Sequence, residues 1–465
     1  PSSGFISKRV VVDFVAGLDA CLIVAMSVIA KWLYIGTYLA IAQEVEGYAT
    51  VGALGAVITL AVLQSRGVFD FDALSRFRGQ PGRIVFALLV SALILAGAGY
   101  LLKVAAFYSR GWMLTWMFLS AFSLMGLHFL VALIFRRWVR LGLFARRVAI
   151  YGSGEIAERL LARQGSENGN LRIVAVFDDA SDHARKRVPV TGGLAELIEF
   201  ARRNPLDEVL IALPLSEEAR IARLVERLSV LPVDVRLCPS AAEGLLRPRA
   251  LMNYDGLAVL ELERRPMEDW GPILKSIEDR VLSFLMLIFF APLMAVIALV
   301  IRFDSRGPVL FRQSRHGFNN KVITVLKFRT MYVAEDGPEV VQATKNDPRV
   351  TRVGRFLRKT SLDELPQLIN VLRGEMSLVG PRPHAIAHDE YYGAILDRYA
   401  NRHKMKPGLT GWAQINGFRG ETETPEKMRQ RVECDLHYID NWSLWFDIKI
   451  LLLTPFLGFI NRNAF

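Results

Sequence analysis

Apolar positions along this chain change their period twice, and each change marks a boundary. In the first third, four windows at roughly 14–35, 48–64, 84–102 and 112–135 are apolar on all faces, and each is long enough to cross about 30 Å of hydrocarbon. They predict a four-helix transmembrane bundle over residues 1–140. From Arg147 the pattern turns to short β-branched runs separated by helical stretches: Val148-Ala149-Ile150-Tyr151, Ile173-Val174-Ala175-Val176-Phe177 and Glu208-Val209-Leu210-Ile211-Ala212-Leu213. That alternation predicts parallel βαβ units, a Rossmann-like domain over 141–265 amounting to about half of a two-lobed nucleotide fold.

A fifth apolar run, 281–301, has no charge, is bracketed by Arg280 and Arg302 and carries Pro292 at its centre. Proline removes a helical hydrogen bond and kinks the chain. A spanning helix would place 13 Lys/Arg against 6 Asp/Glu, counted from Arg302 to Asp363, outside the cytoplasm, against the positive-inside bias. A re-entrant helix broken at Pro292 keeps both flanking arginines at one interface, with the freed backbone groups satisfied at the bend.

The same bias orients the bundle. Arg66, Arg76, Arg78 and Arg83 lie between the second and third windows, and Arg136, Arg137, Arg140, Arg146 and Arg147 follow the fourth, whereas the opposite connections carry only Arg110 and scattered acids. Both ends of the bundle are therefore expected in the cytoplasm. Asp13, Asp19 and Lys31 sit near the ends of the first window and are read as snorkelling side chains.

Composition sharpens this picture. The chain has 465 residues, 52% hydrophobic and 22% charged, with a mean hydropathy of +0.27, which excludes a small module and a disordered chain. Cys21, Cys238 and Cys434 lie far apart, so no disulfide framework or zinc site is legible and a reducing, cytosolic setting fits. The first residue is Pro1 rather than Met, which leaves room for an N-terminal leader. A net charge of +11 needs an anionic partner. The basic positions Arg312, Arg315, Lys327, Arg329, Arg349, Arg352, Arg355, Arg358 and Lys359 have few interleaved aromatic residues, which favours phosphates and an anionic membrane surface over nucleic acid.

Two segments carry candidate chemistry. Gly152-Ser153-Gly154-Glu155-Ile156-Ala157 is a GxGxxA turn between a strand and a helix, with Asp178 and Asp179 ending the next strand. Gly152 and Gly154 are thus candidate nucleotide-binding positions. The competing reading is a scaffold without chemistry, because no Tyr-x-x-x-Lys pair follows. Further on, Ser361-Leu362-Asp363-Glu364-Leu365-Pro366-Gln367-Leu368 suits a helix start capped by Ser361 or Asp363. Adjacent carboxylates at such an N-terminus would have lowered pKa values, and a divalent cation bridging acid and phosphate would relieve their repulsion. Ordinary helix capping is the alternative.

Lys327-Phe328-Arg329-Thr330-Met331, the Ser361–Leu368 segment, Val379-Gly380-Pro381-Arg382-Pro383 and Pro407-Gly408-Leu409-Thr410-Gly411-Trp412-Ala413-Gln414-Ile415-Asn416-Gly417 together resemble the bacterial sugar transferase family. These are monotopic polyprenyl-phosphate phosphoglycosyl transferases, and the likeness extends through the preceding segments to the long members that initiate exopolysaccharide repeat units. The resemblance implies an α/β multidomain membrane protein whose catalytic domain, 266–465, carries the re-entrant helix. It implies that Asp363 attacks a UDP-sugar, giving a covalent aspartyl phosphosugar and UMP, and that undecaprenyl phosphate then takes the sugar phosphate, glucose-1-phosphate or a similar one. Glu364 would hold Mg²⁺. Lys327, Arg329, Arg358 and Arg382 would bind phosphate oxygens. Apart from the resemblance, Arg419 and Asp435 follow the Gln-Ile-Asn-Gly stretch and could line the site or serve the structure. The implied partners are a UDP-sugar, polyprenyl phosphate and membrane lipid at the cytoplasmic face of the bacterial inner membrane, with a homodimer allowed for and no nucleic acid. Many members have Ser-Pro at the helix break, where this chain has Ala291-Pro292.

The rival reading, a membrane-tethered nucleotide-sugar dehydratase, would need the missing Tyr-x-x-x-Lys. His316, His384, His388, His403 and His437 lack metal-ligand spacing and are read as surface or hydrogen-bonding residues. Asp70-Phe71-Asp72 matches a metal-binding DxD but sits in a short loop between membrane helices, and is set aside. Residues 442–460 suit a helix lying in the membrane interface.

Overall fold

The computed structural model describes residues 7–40, 45–104, 107–162, 171–179, 188–238, 252–254, 257–332, 347–396, 398–418 and 424–460. The chain divides into two compact units, Gly4–Ala145 and Arg146–Phe465.

The first unit is built from α1 (Lys8–Ala30, continued by π-helical turns over Lys31–Tyr38), α2 (Glu46–Ser65), the short α3 (Phe71–Leu74), α4 (Gln80–Leu101) and α5 (Arg110–Arg140). The four long helices are each long and apolar enough to cross a membrane. α1 packs on α2 and α5, and α4 on the same two. Inside lie Ile23, Leu63, Ile84 and Leu124 with the stacked indoles of Trp112 and Trp116, which donate to the carbonyls of Ser27 and Ile23, each at 2.9 Å. Phe14, Leu93, Phe118 and Phe122 are exposed on the outside of these helices.

Asp19 departs from expectation. It does not snorkel: it is fully buried, and its Oδ2 lies 2.9 Å from His128 Nε2. His128 Nδ1 in turn lies 2.9 Å from Gln80 Oε1, and Gln80 Nε2 donates to Ala73 O at 2.7 Å. A carboxyl on an inward face cannot reach the interface and must find its partner inside. His128→Ala should therefore lower unfolding stability in detergent by about 3–5 kcal/mol, as expected when one partner of a buried pair is lost, and Asp19→Asn in the same background should recover much of it. A thermal midpoint unchanged by His128→Ala would refute the pairing.

The second unit begins with a sheet formed by β1 (Arg146–Tyr151), β2 (Leu171–Phe177), β3 (Glu208–Ile211), β4 (Asp234–Leu237), β5 (Met252–Tyr254) and β6 (Leu257–Glu263). Their spatial order is β2-β1-β3-β4-β6-β5; the first four are parallel and the last two antiparallel. α6 (Glu155–Ala162), α7 (Leu194–Arg203) and α8 (Glu218–Leu228) connect them. Leu197 of α7 and Leu224 and Leu228 of α8 share one core with Tyr151, Val209 and Val235. Leu160 of α6 covers the opposite face with Val148, Ile150 and Leu210. Burial on both faces explains why these strands are apolar runs without alternation.

The remainder comprises α9 (Gly271–Asp304), the antiparallel hairpin β7 (Leu310–His316) and β8 (Val322–Phe328), α10 (Arg352–Thr360), α11 (Gln367–Leu372), β9 (Ser377–Val379), α12 (Ile386–Ile395), β10 (Gly408–Thr410), α13 (Trp412–Ile415), α14 (Pro425–Asp440) and α15 (Leu444–Ile460). β9 and β10 pair in parallel. Their approach requires glycine: a Cβ on Gly408 would lie 2.1 Å from Gly380 N.

α9 runs as one helix through Pro292 and is also long and apolar enough to cross a membrane. Along one face Leu282, Met286, Leu287 and Phe290 pack with Leu368 and Val371, and further on Ile297 and Ile301 pack with Phe328 and Leu357. Leu365 joins both clusters. The other face, including Phe284, Ile288, Phe289, Val296 and Phe303, is exposed. Both flanks of its uncharged stretch, 281–301, are tied to the same body: Asp279 Oδ1 accepts from Ser377 Oγ and Leu378 N, each at 2.9 Å, and Arg329 donates to Ser305 O at 2.7 Å.

Candidate active site

α10 starts where Thr351 Oγ1 accepts from Gly354 N at 2.8 Å, and stops at Ser361, whose φ of 55° is left-handed. The chain then makes a 3₁₀ turn over Leu362–Glu364. Leu362 and Leu365 pack into the core under α9, and this anchoring directs Asp363 and Glu364 inward, where both are buried. The dyad thus follows the end of one helix instead of capping the next. Ser361 makes no side-chain cap, because its left-handed backbone already terminates α10.

Charged side chains from two other elements converge here. Lys327, on β8, donates to Glu364 Oε1 at 2.8 Å. Arg382, in the turn after β9, donates through Nη2 to Oε1 at 2.6 Å and through Nη1 to Oε2 at 3.1 Å, a bidentate clamp. Arg358, one turn before the dyad on α10, is fixed by Nε donating to Thr330 Oγ1 at 2.9 Å, and its charge acts on Asp363. The Asp363 carboxylate makes no hydrogen bond among the described residues.

This arrangement separates the two acids. Burial, then the adjacent Glu364 charge, push Asp363 up to about 6 in spite of Lys327, Arg358 and Arg382. Glu364 is buried too, yet Arg382 and Lys327 hold it well below the usual carboxylate range. The lowering expected for both acids at a helix N-terminus therefore falls on Glu364 alone, and its cause is bonded cations, not a helix dipole.

Arg329 does not join the cluster. Its Nη1 donates to Arg306 O at 2.8 Å and its Nη2 to Ser305 O at 2.7 Å and Ser305 Oγ at 2.9 Å, so it clamps the C-terminal end of α9, where carbonyls lack helical partners. Arg419 lies outside the described residues. In the Rossmann-like domain, Gly152 has φ of 117°, and a Cβ there would lie 2.6 Å from Ala212 O; nothing lies within 4 Å of a Cβ on Gly154. The turn's next donors, Ser153 N and Oγ, are taken by Asp178 Oδ2 at 2.9 and 2.6 Å, while Arg220 donates to Asp178 Oδ1 at 2.7 Å.

Asn370 was missed by motif reading. Its Oδ1 accepts from Leu326 N at 3.0 Å and its Nδ2 donates to Thr324 O at 2.7 Å, stitching α11 to the strand that presents Lys327. Its place inside the apolar stretch Leu-Ile-Asn-Val-Leu was the available signal, since a buried amide needs strand or helix partners.

Two family profiles match the chain: bacterial sugar transferase over residues 270–461 and CoA-binding domain over 64–239. A UDP-glucose:undecaprenyl-phosphate glucose-1-phosphate transferase of Escherichia coli (strain K12) is 41% identical over 433 residues, covering 91% of this chain and 92% of that protein. The chain belongs to the bacterial sugar transferase family. A protein of the same name from Xanthomonas campestris pv. campestris is 36% identical, covering 94% of this chain and 91% of its own length. A third, from Caulobacter vibrioides (strain ATCC 19089 / CIP 103742 / CB 15), is 57% identical over 180 residues, 39% of this chain and 67% of its own. The dyad, Lys327, Arg358 and Arg382 all lie within the sugar transferase match.

Proposed function

We propose that this chain transfers a sugar-1-phosphate, glucose-1-phosphate by the names of its relatives, from a UDP-sugar to undecaprenyl phosphate, as the first step of exopolysaccharide repeat-unit assembly. One observation carries the reading: Asp363 is a buried carboxylate without a hydrogen-bond donor, set beside a carboxylate locked by two cations. An unencumbered oxygen is what a nucleophile requires, and Glu364 is too tightly held to serve.

In the first half-reaction an Asp363 oxygen forms a bond to the sugar-proximal phosphorus, and the phosphoanhydride bond to the bridging oxygen breaks. UMP leaves with that oxygen and its electron pair. In the second, an oxygen of undecaprenyl phosphate attacks the same phosphorus and the Asp363–phosphorus bond breaks, returning the carboxylate. Arg382, Lys327 and Arg358 surround the place where equatorial oxygens gain charge.

The residues present fit Mg²⁺. Asp363 and Glu364 are hard oxygen donors, and among the described residues no group of three or more His, Cys, Asp or Glu could hold a metal, so further ligands would come from diphosphate and water, the usual pattern for this ion. Glu364 would hold it through the one lone pair left on Oε2, since Oε1 accepts from both Lys327 and Arg382 and Oε2 from Arg382 once. When bound, it supplies charge neutralisation at the diphosphate.

α9 is proposed as a re-entrant helix and the catalytic lobe as cytoplasmic, at the bacterial inner membrane, with the first unit a transmembrane four-helix bundle whose ends are both cytoplasmic. Support comes from the attachment of both flanks of the uncharged stretch, at Asp279 and Ser305, to one body and from apolar packing along one face only. The Rossmann-like domain is proposed as a scaffold, supported by an internal carboxylate, Asp178, on the donors of its glycine turn.

The direct test is purified protein with UDP-glucose, Mg²⁺ and undecaprenyl phosphate, followed by UMP release; no release over background would refute the assignment. Adduct formation without lipid isolates Asp363 from the titration of the lipid phosphate. Its kcat/KM should fall about tenfold per pH unit below the Asp363 pKa of about 6, because protonation removes the nucleophile. A flat profile from pH 7 to 5 would contradict that role.

A further inference from the structure

We propose that Arg402 is a positioning residue for Arg382, and that the Rossmann-like domain holds Arg402 in place and so is a structural arm of the transferase site. The inference rests on the reading of Arg382 as part of that site.

Arg402 lies in a 3₁₀ segment, Tyr399–Lys404, between α12 and β10. Its guanidinium is buried and bonded on every nitrogen: Nε donates to Asp435 Oδ2 at 2.8 Å, Nη1 to His384 Nδ1 at 2.9 Å and to Tyr399 Oη at 3.2 Å, and Nη2 to Arg382 O at 2.8 Å. The carbonyl it holds belongs to the residue whose side chain clamps Glu364. Arg315 Nη1 holds the next carbonyl, Pro383 O, at 2.8 Å. The Pro-Arg-Pro turn is therefore braced from behind by two guanidinium groups, and the reach of Arg382 is set by where they stand.

A six-residue 3₁₀ segment has poor internal hydrogen-bond geometry and takes its position from what packs on it. Residues flanking Arg402 are held by the Rossmann-like domain. Asn401 bonds Ser229 Oγ, just beyond α8, at 3.3 Å. Lys404 Nζ, almost wholly buried, donates to Glu263 Oε1 at the end of β6 at 2.7 Å. A third tie runs beside them: Asn319 Nδ2, in the β7–β8 turn, donates to Ala201 O of α7 at 3.3 Å, and His403 Nδ1 lies 3.4 Å from Gly317 O in that turn. Helix α7, the end of α8 and strand β6 thus fasten the segment that fixes Arg382, through contacts that involve no ligand of the glycine turn. Loosening them leaves the dyad intact but lets the phosphate clamp drift, and a small misplacement of a positioning group costs rate steeply.

The test uses the full chain in detergent with UDP-glucose and undecaprenyl phosphate. Glu263→Lys and Lys404→Glu should each lower kcat/KM for UDP-glucose by about 5–20-fold, chiefly through kcat, as misplacement of a group that acts on the transition state implies. The exchange Glu263→Lys with Lys404→Glu should return it to within about threefold, because the ion pair is re-formed with reversed sense. Arg402→Lys should keep more activity than Arg402→Gln. Hydrogen exchange should quicken at 381–384 and 399–404 in the single variants and return to normal in the exchanged pair. Where a charge reversal prevents folding, Ser229→Ala and Asn401→Ala replace it, with the same fall in kcat expected at about twofold to fivefold. Folded single variants with wild-type KM and kcat, or an exchanged pair no better than its parents, would overturn the inference. Wild-type protein that releases no UMP would instead overturn the proposed function.

Discussion

Asp363→Asn protein should form no phosphosugar adduct, release UMP at least about 10³-fold more slowly than the native chain, and unfold at a higher temperature. The first two outcomes follow from removing the attacking oxygen while keeping the shape of the site. The third comes from the energetic position of Asp363. Its pKa in the fold, about 6, lies above the ordinary 3.8, so folding favours its protonated form and opposes its ionised one. Sign and window follow: the carboxyl favours the fold below about pH 4, and that contribution is lost as pH rises through 6. At pH 7 the ionised side chain costs about 3 kcal/mol. An uncharged amide of the same size relieves that cost above pH 6 and gives no advantage below 4. Full turnover in this variant would dismiss Asp363 as nucleophile; inactivity with a lower melting temperature at pH 7 would mean its charge is compensated in the fold.

The second large effect concerns topology. Single cysteines in place of Ile277 and Arg306, in a background lacking Cys21, Cys238 and Cys434, should both be shielded from an impermeant thiol reagent in intact cells and both react in inverted vesicles. Both positions are exposed; neighbouring Ser276 and Ser305 are less suitable, since their hydroxyls accept from Arg280 and Arg329. Pro292→Leu should then reduce transfer by at least about tenfold. Leucine restores the backbone donor and removes the ring clash, and the run of 21 residues, 281–301, is about 31 Å long as helix, enough to cross. Labelling at position 306 from outside native cells would eliminate the re-entrant arrangement.

What the sequence disclosed depended on the range of each interaction. The apolar windows and β-branched runs report local periodicity, and the helices and strands sit within a few residues of them. Asp363, Glu364, Lys327 and Arg382 were found through ordered motifs and meet in space. Arg329 shows the limit of such reading: residues two apart in a strand share a face, yet Lys327 on β8 bonds Glu364 while Arg329, just past the end of that strand, serves the carbonyls of Ser305 and Arg306 beyond α9. The direction of the Asp363 shift was hidden because it depends on burial, which follows from Leu362 and Leu365 packing under a helix distant in sequence. Asp19 and His128 are separated by 109 positions, a spacing that no periodic pattern encodes. Arg402 and Asn370 both act on other residues' backbone; only Asn370, a polar residue inside an apolar stretch, carried a local sign of it.

The outward strip of α9 bears on handling the protein. Phe284, Ile288, Phe289, Val296 and Phe303 are exposed on that helix, and Trp445, Leu452 and Phe456 on α15. Attachment through such surface is an oil–water partition whose strength rises with salt and is indifferent to pH. A polypeptide cut to residues 266–465 should therefore sediment with vesicles through a high-salt or alkaline carbonate wash and come away only in surfactant.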